Sequence, residues 1–158
     1  MNIKKHCNIL KNINTSKFIN DIVKYANKNP CCKIYPNCTH PPLQSDALLY
    51  KKFTKLKKSL DLLIPNISQI QLWALVTLPT MKISSQWHSH ENKEINKKQL
   101  SALCYLTKTN VGTEFKNGKS IKPQINTWYI WDSSLVHRPE DKPVNNLRIT
   151  LGSNIYLK

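Results

Sequence analysis

Arginine is nearly absent from this chain: two Arg stand against 22 Lys in 158 residues. Acidic residues are scarce as well, nine against 24 basic ones, which leaves a formal net charge of +15. No apolar run reaches the ~18 residues that a transmembrane helix needs, which argues against a membrane protein. The basic stretch 1–7 is followed by no long apolar segment and no small-residue cleavage site, so a secretory signal is not expected. No internal repeat and no low-complexity tract is present. Together these absences predict a soluble, cytoplasmic, single domain over 1–158, long enough to bury a core.

The five cysteines, Cys7, Cys31, Cys32, Cys38 and Cys104, are odd in number and fit reduced thiols. Cys32, Cys38 and His40 match no common zinc spacing, and loop and core thiols are the expectation. The charge admits two explanations. One is a polyanion-binding surface; the other is the Lys-, Asn- and Ile-rich codon usage of an AT-rich genome. The basic residues are scattered except at 51–58, so nucleic acid is a candidate partner that the pattern does not favour. The scarcity of Arg makes the two present more telling, because Arg is suited to bidentate carboxylate recognition.

Two helices are predicted near the N-terminus. Thr15 and Ser16 are cap candidates for a helix over 17–27, with Phe18, Ile22, Val23, Tyr25 and Ala26 as its apolar stripe. Residues 30–44 carry Pro30, Pro36, Pro41 and Pro42 and read as loop or edge structure. Ser45 caps a second helix that ends at Pro65, with Leu48, Leu49, Phe53, Leu56, Leu60 and Leu63 at helical spacing and a solvated lysine face opposite. From Gln69 onward short β-branched and apolar segments alternate with turn signals. Strands are predicted at 69–78, 83–91, 99–107, 113–116, 127–131, 135–138 and 147–156, with a hairpin turn at Asn117-Gly118. The pattern is that of a mainly β sandwich or jelly roll, with 1–66 as helical support and loop and 67–158 as the core.

The stretch Trp87-His88-Ser89-His90-Glu91 carries the first chemistry. Residues i and i+2 of a strand share a face, so His88 and His90 aim at one point. A third imidazole is available in His137, at the end of a predicted strand. Such ligands suit Fe, Zn, Cu or Ni. Eleven residues beyond His137 comes Arg148-Ile149-Thr150. Alternation puts Arg148, Thr150, Gly152 and Asn154 on one face and Leu147, Ile149, Leu151 and Ile155 on the other. A buried Arg148 calls for an anion: a bound carboxylate, held at roughly 1.5–3 kcal/mol per charge-assisted hydrogen bond, or an internal salt bridge to Asp132, Glu140 or Asp141.

The ordered set His88-x-His90, His137, Arg148-x-Thr150 resembles the Fe(II)- and 2-oxoglutarate-dependent dioxygenases, whose pattern is His-x-Asp/Glu, a distal His and, soon after it, an Arg. Residues 100–106, 112–115 and 128–132 are similar to neighbouring segments of short bacterial and viral members, and the likeness spans 70–156. It implies a double-stranded β-helix (a cupin-like jelly roll) with supporting N-terminal α-helices. It implies Fe(II), 2-oxoglutarate as cosubstrate and O2, and hydroxylation through a ferryl intermediate with release of succinate and CO2. The substrate would be a small molecule, an amino acid or a peptide. His88 and His137 carry over as metal ligands, Arg148 as the partner of the distal carboxylate of 2-oxoglutarate with Thr150 assisting, and Tyr105 as a further hydroxyl to that cosubstrate.

One departure stands out. His90 occupies the carboxylate position. It is favoured as the third ligand; Glu91 could enter only through a bulge, or the third protein ligand is missing. A cupin-like three-His protein, acting as a 2-oxoglutarate-independent dioxygenase or a binding module, is the competing reading. Nucleic-acid demethylases of the alkylation-repair type carry a second Arg six residues after the first, where this chain has Asn154.

Overall fold

A computed structural model of the chain describes residues 3–7, 15–28, 38–39, 47–80, 83 and 86–158. The elements in chain order are β1 (Lys4–Cys7), α1 (Thr15–Lys28), β2 (Cys38–Thr39), α2 (Ala47–Asp61), β3 (Ile67–Thr77), β4 (Gln99–Tyr105), β5 (Thr113–Phe115), β6 (Ser120–Ile121), β7 (Thr127–Asp132), β8 (His137–Pro139) and β9 (Arg148–Leu157). They form two antiparallel sheets, a six-stranded one ordered β1-β7-β4-β9-β3-β2 and a three-stranded one ordered β6-β5-β8. This is the jelly-roll arrangement expected from the spacing of the strands, and the double-stranded β-helix that the family resemblance implies.

Period-two alternation builds the large sheet and divides its faces. On β3, Ile70, Leu72, Ala74 and Val76 are buried on one side, while Gln71, Trp73 and Leu75 take the other. The first set joins Ala102, Cys104, Trp128, Ile130, Ile149 and Leu151 from the neighbouring strands against Phe18 and Ile22 of α1 and Leu56 and Leu60 of α2. Each of these buried aliphatic side chains contributes about 1.5–3 kcal/mol relative to exposure, so this layer holds the helices to the sheet. The opposite, inner face carries Tyr105, Tyr129 and Trp131, which meet Phe115 and Ile121 of the small sheet. The Phe115 and Trp131 rings contact edge to face at 5.4 Å.

The hairpin between β5 and β6 forms where Asn117-Gly118 predicted it. Gly118 adopts φ 83°, and its N–H donates to Phe115 O at 2.9 Å. The Cys104 thiol is free and buried, and burial pushes its pKa up, as a reduced core thiol requires.

Three expectations are corrected. The strand predicted over 83–91 is absent as a ladder among its described residues, and only a single bridge, His88 to His137, remains of it. Its next pairing is with a turn, since His90 N–H donates to Ser133 O. The N-terminal part is not only helix and loop: β1 adds to β7 and β2 to β3 at the two edges of the large sheet. Finally α1 begins at Thr15 itself and α2 stops at Asp61, before Pro65. The side chains of Tyr25, Ala26, Leu48, Leu49 and Phe53, the cap residues Ser45 and Asp46, and Cys31, Cys32 and His40 lie outside the described residues. No helix among the described residues is long and apolar enough to cross a membrane.

Candidate metal centre and anion clamp

His137 opens β8 and pairs with His88 through two backbone bonds, His88 N–H to His137 O at 3.1 Å and His137 N–H to His88 O at 2.9 Å. His90, two residues on, is tied to the turn that precedes β8 by its bond to Ser133 O at 3.0 Å. The three imidazoles converge in consequence. One ligand nitrogen from each lies within 4.8 Å of the other two. Ring centroids are 4.7 Å apart for His88 and His137, 5.0 Å for His88 and His90, and 5.2 Å for His90 and His137.

Two of the rings have their tautomer set by the backbone. His88 Nδ1 lies 2.8 Å from Gln86 O and His137 Nδ1 2.8 Å from Leu135 O. A carbonyl only accepts, so both Nδ1 atoms carry the proton and both Nε2 lone pairs are left for a cation. Charge on His90 and His137 is disfavoured. Burial, then the neighbouring His137 and His88, pull His90 down to about 4, and burial also pulls His137 to about 4 against the opposing Leu135 carbonyl. Apolar walls complete the chamber: Trp131 meets His137 edge to face at 5.1 Å, and Trp73 lies 5.9 Å from His90. Three neutral imidazoles around the space of one ion fit Fe, Zn, Cu or Ni and not the oxygen-seeking Mg or Ca.

Glu91 does not belong to this cluster. It is exposed on the opposite parity and lines a surface groove with Lys97, Lys98 and Asp132. The bulge that would turn it inward is not formed, and it is a His90 nitrogen that converges with those of His88 and His137.

The second predicted feature also assembles. Arg148, Thr150 and Tyr105 are at most 1 % exposed, although all three carry polar atoms. The register pairs Thr150 with Tyr105, which brings their side chains together on the inner face. Arg148 Nη1 is 3.5 Å from Thr150 Oγ1, and its guanidinium carbon lies 5.5 Å from the centre of the Tyr105 ring. Burial raises the Tyr105 pKa against the pull of Arg148 and Thr113, so its hydroxyl stays protonated and can donate. Two of the three carboxylates considered as salt-bridge partners are engaged elsewhere. Asp132 Oδ1 accepts from Ser134 N–H and Oγ–H, and Glu140 Oε2 accepts from Lys142 Nζ and Gly112 N–H.

Thr113 is the member that sequence reasoning missed. Its hydroxyl is 3.0 Å from that of Tyr105. Thr113 enters on β5, from the small sheet, and only its parity with inward-facing Phe115 hinted at its direction. The histidines lie against the same inner face as Arg148, Thr150 and Tyr105, through Trp73 beside His90 and Trp131 beside His137. Gly152 lies beneath Trp73, beside His90, and at about 3.3 Å per residue Thr150 and Arg148 follow about 7 and 13 Å along the same strand.

No protein-family model matches the chain, and no curated protein matches it. Solved structures do. A prolyl hydroxylase from Trichoplax adhaerens, in complex with a hypoxia inducible factor oxygen degradation domain peptide fragment, superposes with a TM-score of 0.70 at 12% identity, over 98% of this chain and 83% of that one. HygX from Streptomyces hygroscopicus, with nickel and 2-oxoglutarate bound, gives 0.67 at 9% identity, over 99% and 82%. A prolyl-4-hydroxylase from Pseudomonas putida gives 0.66 at 11% identity, over 99% and 92%. At these identities what is shared is the fold, a double-stranded β-helix along almost the whole chain.

Proposed function

We propose that this double-stranded β-helix is an Fe(II)- and 2-oxoglutarate-dependent hydroxylase. The observation that supports the reading is a three-imidazole cluster in ring contact with Trp73 and Trp131, residues of the sheet face that also carries the buried Arg148, Thr150 and Tyr105. His88, His90 and His137 would hold the iron, the first and last through Nε2. Three protein donors leave open positions for a chelating cosubstrate and for O2. With these bound, the centre would convert a substrate C–H to an alcohol while 2-oxoglutarate and O2 yield succinate and CO2. Arg148 would bind the distal carboxylate through charge-assisted hydrogen bonds, with the Thr150 and Tyr105 hydroxyls donating beside it. Trp131 and Phe115 back the His137 ring and keep water from that side of the chamber. The likeness to a peptide-bound hydroxylase supports a peptide, amino-acid or small-molecule substrate.

Anaerobic addition of 2-oxoglutarate to the Fe(II) protein is the deciding experiment. A weak visible charge-transfer band and, once air is admitted with ascorbate, slow formation of succinate are expected. No band at saturating 2-oxoglutarate would overturn the reading. The cluster has no carboxylate, and this favours a second reading, a three-His dioxygenase that needs no 2-oxoglutarate, in which Arg148 grips a carboxylate of the substrate itself. The same titration separates the two.

A further inference from the structure

Trp73 has no part in the three apolar clusters of the described residues. The other inner-face aromatics, Tyr105, Tyr129, Trp131 and Phe115, form one, the helix-facing residues another, and Ile83, Val111 and Val144 a small third; half-buried Trp73 packs into none of them. It is nevertheless firmly placed. β3 and β9 pair Trp73 with Gly152. A Cβ at position 152 would stand 2.5–2.7 Å from the indole atoms Cε2, Nε1 and Cζ2, so the indole lies down on the strand where only glycine leaves room. One neighbour of the ring is His90, at 5.9 Å and a 33° tilt. One row further along the same face, Gln71 pairs with Asn154, whose Nδ2 donates to Gln71 Oε1 at 3.3 Å. Asn154 Oδ1 is buried with no hydrogen-bond partner.

We propose that Trp73, seated on Gly152, is the substrate platform of the metal chamber, and that it takes a neutral, C–H-rich side chain, aliphatic or a saturated ring, whose flanking amide is read by the Gln71–Asn154 pair. This rests on the metal-centre reading above. An indole face attracts either polarised C–H bonds or cations. The cation is disfavoured here, because the chain carries +15 and the cluster would hold its dication with neutral ligands only. The two amides supply donor and acceptor groups of the kind that pair with a peptide bond.

The test uses the full chain loaded with Zn(II) and 2-oxoglutarate and ligand-observed saturation-transfer NMR. The probes are N-acetyl-leucinamide, N-acetyl-prolinamide and N-acetyl-lysinamide. Saturation is expected on the side-chain protons of the first two, at least about threefold above the lysine probe, given the weakness of single aromatic contacts. Trp73→Ala should abolish it and Trp73→Phe should keep it. Gly152→Ala, which pushes the indole off its seat without removing it, should lower it as well and covers the case in which Trp73→Ala fails to fold. Equal saturation in wild type and both Trp73→Ala and Gly152→Ala, preference for the lysine probe, or no saturation in wild type overturns the proposal. The Fe(II)–2-oxoglutarate band, recorded anaerobically on metal-free portions of the same protein batches reloaded with Fe(II), separates the two failures: its absence from wild type sinks the cofactor reading, whereas its presence beside any of those outcomes sinks only the platform.

Discussion

His88 and His137 are hydrogen-bonded to each other in both directions along the backbone, at 3.1 and 2.9 Å, while their rings face each other at 4.7 Å. The spacing of two candidate ligands is thereby set by a β-bridge, whether or not an ion is bound. Such preorganisation lowers the ordering cost of binding.

Replacing any one of His88, His90 or His137 by Gln should weaken Co(II) or Fe(II) binding on the order of 100-fold or more, since each would remove one of the proposed ligands. Glu91→Gln should leave it unchanged. Anaerobic titration followed by visible spectroscopy reads both. A loss on Glu91→Gln equal to that on His90→Gln would reverse the assignment of the third ligand.

Arg148→Gln should raise the 2-oxoglutarate concentration needed for half-maximal absorption by about 10- to 100-fold, the equivalent of one lost charge-assisted contact. Thr150→Val should have a smaller effect in the same direction. Arg148→Lys keeps the charge and loses the planar fork, so it should fall between wild type and Arg148→Gln.

The depressed pKa values predict a pH window. His90 and His137 titrate near 4 in the folded chain against 6.5 for the free side chain. Above pH 6.5 both states are neutral and the pair leaves stability unaffected. As pH falls from 6.5 toward 4 the unfolded chain takes up protons that the folded chain refuses, so stability declines, by at most about 3 kcal/mol per histidine, and then levels off. Thermal melts of the metal-free protein should show this slope. The double variant His90→Gln/His137→Gln should flatten it.

On the outward side of the same bridge, the Arg138 guanidinium stacks on Trp87 at 4.4 Å and its Nε donates to Glu114 Oε1 at 2.7 Å. Each partner of the stack adjoins a metal-ligand candidate in sequence. Both charged groups are about 30 % exposed, so Arg138→Ala should cost only about 0.5–1 kcal/mol of stability. It should nonetheless weaken Co(II) binding severalfold, with Trp87→Phe retaining most of the affinity. An unchanged Co(II) titration curve for Arg138→Ala would show that the stack does not steer the ligands.

Gly112 precedes Thr113, and a side chain there would collide with the backbone oxygen of Ile121, which cannot swing aside. Gly112→Ala should lower the urea-derived stability by about 2 kcal/mol or more. It should also displace Thr113 from the Tyr105 hydroxyl.

Much of the site was legible because it is written in short periods. His88-x-His90 and Arg148-x-Thr150 need only strand parity to share a face, and the β9 alternation was clean. What escaped was tertiary. The β1 residues Lys-Lys-His-Cys carry no apolar alternation, and their pairing with β7 is made by backbone groups that any sequence has. The 83–91 segment looked like a strand because its parity is right, yet its partner is mostly a turn. Trp73 was one residue of the strand predicted over 69–78, and its distinction arises only because Gly152 lies across from it.

β1 has one more consequence. It covers the outer edge of β7, whose Trp128-Tyr129-Ile130-Trp131 is uncharged, aromatic and β-prone. A bare edge of that composition is a template for strand addition between molecules, and exposed Lys4 and Lys5 are the kind of residues that discourage it. Deleting residues 3–7 should therefore show itself first as precipitation in concentrated samples, with the histidine cluster untouched.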